Sequence, residues 1–179
     1  MDDPEGRFTA LYDRHYRSLL GYALLRAEQG VAEDVVSETF LVAWRRLPEV
    51  PEPALPWLIG VARNLLRKQR DSRLRGESLV DRFAALGGEP AAADVAEHVV
   101  AREAALAALA ALPERDVEAL VLTVWHGLTP AEAALATGSS RAAFAVRLHR
   151  ARRRLARALD EAPAAPRVLS MTSQEQRCP

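Results

Sequence analysis

The segment SRAAFAVRLHRARRRLARAL, residues 140–159, carries seven arginines and no carboxylate, in a chain whose 24 basic and 24 acidic residues cancel. Charge is therefore segregated along the chain. On a helical wheel of 100° per residue, Phe144, Leu148, Ala151, Leu155 and Leu159 fall together as an inward stripe. Val146, His149, Arg150, Arg153 and Arg157 lie opposite, with Arg147 and Arg154 on one flank. Ser140 is suited to accept a bond from a free N–H at the start of this helix. Just upstream, LTPAEAALATGSS reads as a short helix and a tight turn through Gly138, so the two segments form a helix-turn-helix. A solvated charged face is the ordinary reading of a helix of mixed charge. Arginines at i, i+3 and i+4 without acid partners instead repel each other by a few tenths of a kcal/mol per pair. A polyphosphate backbone is the natural counterpart of such a face.

A second basic block lies at the end of another apolar-periodic run. Arg63, Arg67, Lys68, Arg70, Arg73 and Arg75 face one acid, Asp71, a net charge of +5. Two basic helices suggest a protein that touches one duplex at two places, although this block alone also suits a membrane surface or a protein partner. Between Glu77 and Glu103, by contrast, six acids stand against two arginines.

Helical spacing of apolar residues recurs nearly everywhere, and no run alternates with a period of two. Phe8, Leu11, Tyr12, His15, Tyr16, Leu19, Leu20 and Ala23 predict a first helix over about 5–28. Gly30 is read as a break before a second helix, with Glu33 and Asp34 at its positive end and Arg45 and Arg46 at its negative end. Val36, Phe40, Ala43 and Leu47 cluster as its core face. PEVPEPALP, with four prolines, predicts a loop. WLIGVARNLLRKQRDSRLR then gives a third helix to about residue 75, with Leu58, Ile59, Ala62, Leu65 and Leu66 inward. Trp44 and Trp125 are placed in the core or at its margin. Trp57 is placed in the core, a stacking platform for a base being the other reading. Later helices are expected at about 94–111, 114–126, 130–137 and 140–160, with a short one near Leu79–Leu86.

The predicted fold class is all-α: two small helical domains joined by a flexible acidic linker, the second containing the helix-turn-helix. The expected boundaries are residues 1–75, a linker over 76–102, a second domain over 103–162 and a disordered tail over 163–179.

Composition narrows the function. The chain has 179 residues, 49% of them hydrophobic and many of those alanine. No stretch approaches the roughly 18 apolar residues of a membrane span, so no membrane insertion is expected. The acidic start MDDPEGRF is unlike a secretory leader, and the single Cys178 has no disulfide partner, as in a reduced cytoplasmic protein. His15, His98, His126 and His149 are scattered without metal-site spacing, and neither G-x-S-x-G nor a phosphate-binding glycine loop is present. No enzyme activity, metal, cofactor or small-molecule substrate is expected. His15 is read as a half-buried packing residue.

FTALYDRHYRSLLGYALLR, AEDVVSETFLVAWRRL and PWLIGVARNLLRKQRD resemble the first promoter-recognition domain of extracytoplasmic-function sigma factors, of the sigma-70 family. LAALPERDVEALVLTVWHGLTPAEAALATGSSRAAFAVRLHRARRRL resembles their second domain. The resemblance covers residues 5–75 and 103–160 in the family's order, and implies a dissociable subunit that directs bacterial RNA polymerase to promoters. Its implied partners are the polymerase core, through the β′ coiled coil and the β flap, promoter DNA, and an anti-sigma factor, as such proteins often have. The positions matching the polymerase-docking face are Asp34, Ser37, Glu38, Leu41, Trp44 and Arg45. An acidic, partly apolar face of this kind suits a basic partner helix. Residues 48–56 with Asn64, Arg67 and Lys68 match the side that holds the unpaired minus-ten strand, which needs a pocket and cationic backbone contacts. The recognition helix, matching Arg141, Ala145, Val146, Arg147, His149, Arg150, Arg153 and Arg154, is implied to read the minus-thirty-five element.

AAFAV departs from the family's commoner Gly-Thr-Val-Lys/Arg-Ser run, placing Ala145 and Val146 where polar base readers are usual. Apolar groups contact a thymine methyl but lack the bidentate guanine contact that discriminates by about 1–3 kcal/mol. The linker's root-mean-square span, about 25 Å for about 22 flexible residues, is short beside the several tens of Å between promoter elements. Polymerase is therefore expected to spread the domains, and the free chain to bind promoters weakly. The acidic linker could occupy a cationic channel of polymerase or mask the basic helices in the free state. A stand-alone helix-turn-helix regulator is the rival reading; it accounts for residues 113–160 and leaves 5–75 without a purpose.

Overall fold

The computed structural model describes residues 3–70 and 95–161. The expected short helix near 79–86, Arg73 and Arg75, the linker up to residue 94, and the tail with Cys178 lie outside the described residues. Seven α-helices occur among those described: α1 (Pro4–Leu24), α2 (Gln29–Arg45), α3 (Leu55–Arg70), α4 (Val95–Ala110), α5 (Glu114–Leu120), α6 (Pro130–Thr137) and α7 (Arg141–Glu161). No strand occurs among the described residues.

Local chemistry sets most boundaries. The Asp3 carboxylate accepts from the Gly6 N–H at 3.0 Å and Pro4 opens α1, so one orphan donor is capped and another is absent. α1 ends at Leu24, short of the expected 28, and α2 begins at Gln29 with Glu28 as its cap. Gly30 thus sits inside the first turn of α2 and is not the break that its residue type suggested. The proline-rich loop also ends sooner than expected. Pro56 lies in the first turn of α3, where a missing N–H costs nothing.

α1, α2 and α3 pack on one another through Leu19, Ala23, Val36, Phe40, Leu58, Ile59 and Ala62, all buried. Leu47, from the turn after α2, is buried as expected. Phe8, Tyr12, Tyr16, Phe40 and Trp44 form an aromatic row along the α1–α2 seam, with Phe8 edge-on to Trp44 at 5.1 Å. Trp44 is 43% exposed, and Trp125 is also largely exposed. Trp57 is half-buried against the core.

In the second half, α5 and α6 both pack on α7. The expected helix over 114–126 is α-helical only to Leu120 and continues as a π-turn over Val121–Trp125. Phe144, Leu148 and Ala151 are buried, Leu155 is half-buried, and Leu159, expected inward, is exposed where α7 runs past the core. The two halves meet. α3 lies against α6, and the buried apolar residues of both halves form one contiguous cluster.

Candidate nucleic-acid interface and docking face

The helix-turn-helix is built by its own turn chemistry. Thr129 caps α6 in a reciprocal box: the Glu132 N–H donates to its hydroxyl at 3.3 Å, and the Glu132 carboxylate accepts from the Thr129 N–H at 2.7 Å. At the other end Gly138 adopts φ 65°, the left-handed conformation a glycine takes without strain. The Gly138 N–H then reaches the Leu135 carbonyl and the Ser139 N–H the Ala134 carbonyl, which closes the helix end. Ser140 accepts from the Ala143 N–H at 3.2 Å and starts α7 as expected.

α7 presents the anticipated basic face. Arg141, Ala145, Val146, His149, Arg150, Arg153 and Arg157 are exposed, and Arg147 is half-buried on the flank. Among the described residues no ion pair engages Arg141, Arg147, Arg150, Arg153 or Arg157. Arg154 differs. Its guanidinium bonds to the Asp116 carboxylate of α5, which is only 6% exposed. The stretch is acid-free in sequence but not in space at this one position. The pair ties α7 to α5 beneath it.

The exposed face of α2 contains Asp34, Ser37, Glu38, Leu41, Trp44 and Arg45 together, with Leu41 52% exposed. An acidic surface with two large apolar side chains is thereby held on a rigid helix whose other side is core.

On α3, Asn64, Arg67 and Lys68 are exposed. The loop over 48–56 borders a recess lined by Arg7, Arg14, His15, Leu47, Val50 and Glu52. Burial and the neighbouring Arg14 lower the His15 pKa against an opposing pull from Glu52, which leaves the ring readily neutral.

Arg63, the first member of the basic block, turns away from solvent. Its Nε donates to Glu118 Oε1 at 3.0 Å and its Nη1 to the Thr137 carbonyl at 3.3 Å, both in the other half of the chain. Arg26 Nη2 reaches the same Oε1 at 3.2 Å, while its guanidinium lies 3.8 Å from the centre of the Tyr22 ring. The fully buried Tyr22 donates a long 3.4 Å bond to Glu118. Burial raises the pKa of the Glu118 carboxyl, but Arg26 and Arg63 outweigh it and hold it below the ordinary value. Edge-on to Tyr22 sits His126, whose buried Nε2 has no hydrogen-bond partner. Burial and Arg26 together push its pKa down to about 4.

Sequence reasoning missed both Asp116–Arg154 and the Glu118 cluster. One signal was available: Asp116 and Glu118 flank Val117 on a short helix with an apolar stripe, where a carboxylate must find a cation.

Comparison with known proteins fits this architecture. Residues 11–75 match the family profile of Sigma-70 region 2, and residues 102–155 match that of Sigma-70, region 4. The "Probable RNA polymerase sigma factor RfaY" of Xanthomonas campestris pv. campestris is 39% identical over 129 residues, covering 68% of this chain and 32% of that protein. The chain thus spans about a third of that relative's length. The RNA polymerase sigma factor NccH of Alcaligenes xylosoxydans xylosoxydans is 31% identical over 159 residues, covering 83% of this chain and 84% of NccH. Among solved structures, CnrH in complex with the cytosolic domain of CnrY superposes with a TM-score of 0.56 at 28% identity, covering 86% of this chain and 87% of CnrH. The chain belongs to the sigma-70 family of RNA polymerase sigma factors. Within that family it is of the extracytoplasmic-function kind.

Proposed function

We propose that the chain is a dissociable sigma subunit of bacterial RNA polymerase, acting in the cytoplasm to select promoters and start transcription. The observation that carries this reading is the basic face of α7, free of carboxylates in sequence over residues 140–159, with Arg150 and Arg153 exposed and Arg147 on its flank, behind a capped helix-turn-helix. Arg141, Ala145, Val146 and His149 line the part of α7 that faces base edges of the minus-thirty-five element, and Arg154 sits at its flank. Asn64, Arg67 and Lys68, with the recess beside residues 48–56, form the minus-ten side. Asp34, Ser37, Glu38, Leu41, Trp44 and Arg45 form the face for the β′ coiled coil, and the second half meets the β flap. That CnrH is seen in complex with the cytosolic domain of CnrY supports a protein regulator for this chain, which we take to be an anti-sigma factor.

A stand-alone helix-turn-helix regulator would leave the acidic, apolar face of α2 and the basic end of α3 without a use. Among the described residues no group of His, Cys, Asp and Glu side chains could hold a metal, and no helix is long and apolar enough to cross a membrane. The test is transcription in vitro with purified core polymerase on a genomic DNA library, with start sites sequenced. The reading requires a discrete set of start sites that depends on the chain. Start sites unchanged by its addition would refute it.

A further inference from the structure

Glu118 belongs to the helix-turn-helix half, yet its hydrogen-bond and ion-pair partners, Tyr22, Arg26 and Arg63, all belong to the first half. That carboxylate is 8% exposed in the closed chain, with Arg26 and Arg63 of the first half as the cations beside it. A carboxylate buried in this way needs its cations, so the closed arrangement depends on this contact between the halves. The rest of the seam is of a different character. α3 approaches α6 through Gly60, where a Cβ would stand 3.6 Å from the Ala136 carbonyl oxygen, so small residues bring the backbones together. Arg63 also bonds to the Thr137 carbonyl at the end of α6. The seam thus joins an ionic cluster to the apolar contact of the two halves, a mixed character found in separable contacts between domains.

We propose that Glu118 is a latch: by clasping Arg26 and Arg63 it holds the free chain closed and withdraws the Arg63 guanidinium from nucleic acid until the halves part. The proposal rests on the sigma-factor reading for its consequence, since two basic surfaces that must reach separated promoter elements cannot do so while α3 lies along α6. It explains why one arginine of a basic block faces a carboxylate while Arg67 and Lys68, one turn on, stay exposed. Glu118 occupies the Arg63 position that a phosphate would otherwise take, so opening exchanges an internal anion for an external one. Arg67 lines the same cleft, beside Glu114 and Arg115, and becomes accessible from all sides when the halves part.

Small-angle X-ray scattering on the full-length chain without polymerase or DNA tests the latch. Wild type should give the compact curve of the closed form. Glu118→Gln and Arg63→Met should each raise the radius of gyration by several Å, because the halves then separate. The double variant should expand no further than Glu118→Gln alone, since losing the carboxylate charge already removes both the Arg63 and the Arg26 pairs. A Glu118→Gln curve that overlays on wild type would overturn the proposal, as would expansion in Arg63→Met without expansion in Glu118→Gln, or a double variant that expands well beyond Glu118→Gln. Should Glu118→Gln lose helicity by circular dichroism, Arg63→Met and Arg26→Met, which lie outside the helix-turn-helix half, read the same contact. Core-dependent initiation is measured separately, so loss of the latch and loss of the sigma-factor reading give different results.

Discussion

Arg154 and Asp116 show how one side chain changes the meaning of a pattern. On a wheel, Arg154 is another flank cation; in the fold its guanidinium satisfies a buried carboxylate. Arg154→Ala should therefore lower stability by about 1–2 kcal/mol, discounted because the arginine is half exposed, and chemical denaturation would show it. Equivalent truncation of Arg153, which has no ion pair among the described residues, should leave stability within about 0.5 kcal/mol. His126 offers a test in pH. Its imidazole is neutral when buried, with a pKa of about 4 against an ordinary 6.5. The unfolded chain binds the proton more tightly across that window, so stability is full above about 6.5 and falls as pH drops toward 4. Glu118, held below its ordinary value, loses its contribution in the same acidic direction. Between pH 7 and 5, His126 alone should cost on the order of 2 kcal/mol, seen as a lower Tm. His126→Gln should flatten that dependence. The inward stripe and the exposed arginines of α7 were legible as residues because the helical period sorts them. Ion pairs between distant helices leave no periodic trace, so Arg63 and Arg154 gave no hint of their partners.

The elements were most legible where capping chemistry was strong. Residues 130–137 emerged with the expected bounds because Thr129, Pro130, Glu132 and Gly138 all mark its ends. Thr129→Ala removes one capping bond and should cost about 1 kcal/mol in thermal unfolding, without altering contacts on the basic face. Boundaries failed where a residue type was ambiguous: Gly30 is tolerated inside α2, and Pro56 inside the start of α3. The switch to π geometry after Leu120 had no signal in composition or period. α2 carries its own prediction. Asp34→Lys with Glu38→Lys reverses the charge of the docking face while leaving its buried side intact. Pull-down of core polymerase should fall at least tenfold at moderate salt, with helicity unchanged; retention equal to wild type would remove α2 from the docking surface.

At the scale of the molecule, balanced charge is divided among surfaces. Carboxylates lie on α2 and at the seam, whereas α7 carries Arg141, Arg147, Arg150, Arg153 and Arg157, none of them ion-paired among the described residues. That division, and the all-helical class, follow from the order of residues. The closed arrangement does not, because a chain that reads as two helical units with an intervening acidic stretch says nothing of how the units pack. Gly60 against Ala136, and one carboxylate shared by two guanidiniums, decide that contact. The central claim is that the cationic face of α7 directs polymerase. Its most direct test is run-off transcription from a mapped start site by core polymerase carrying Arg147→Ala with Arg150→Ala, beside a core-binding assay on the same protein. Neither side chain is ion-paired among the described residues, so the fold and the polymerase contact should survive while start-site-specific product disappears. Transcription equal to wild type from that double variant would contradict the account.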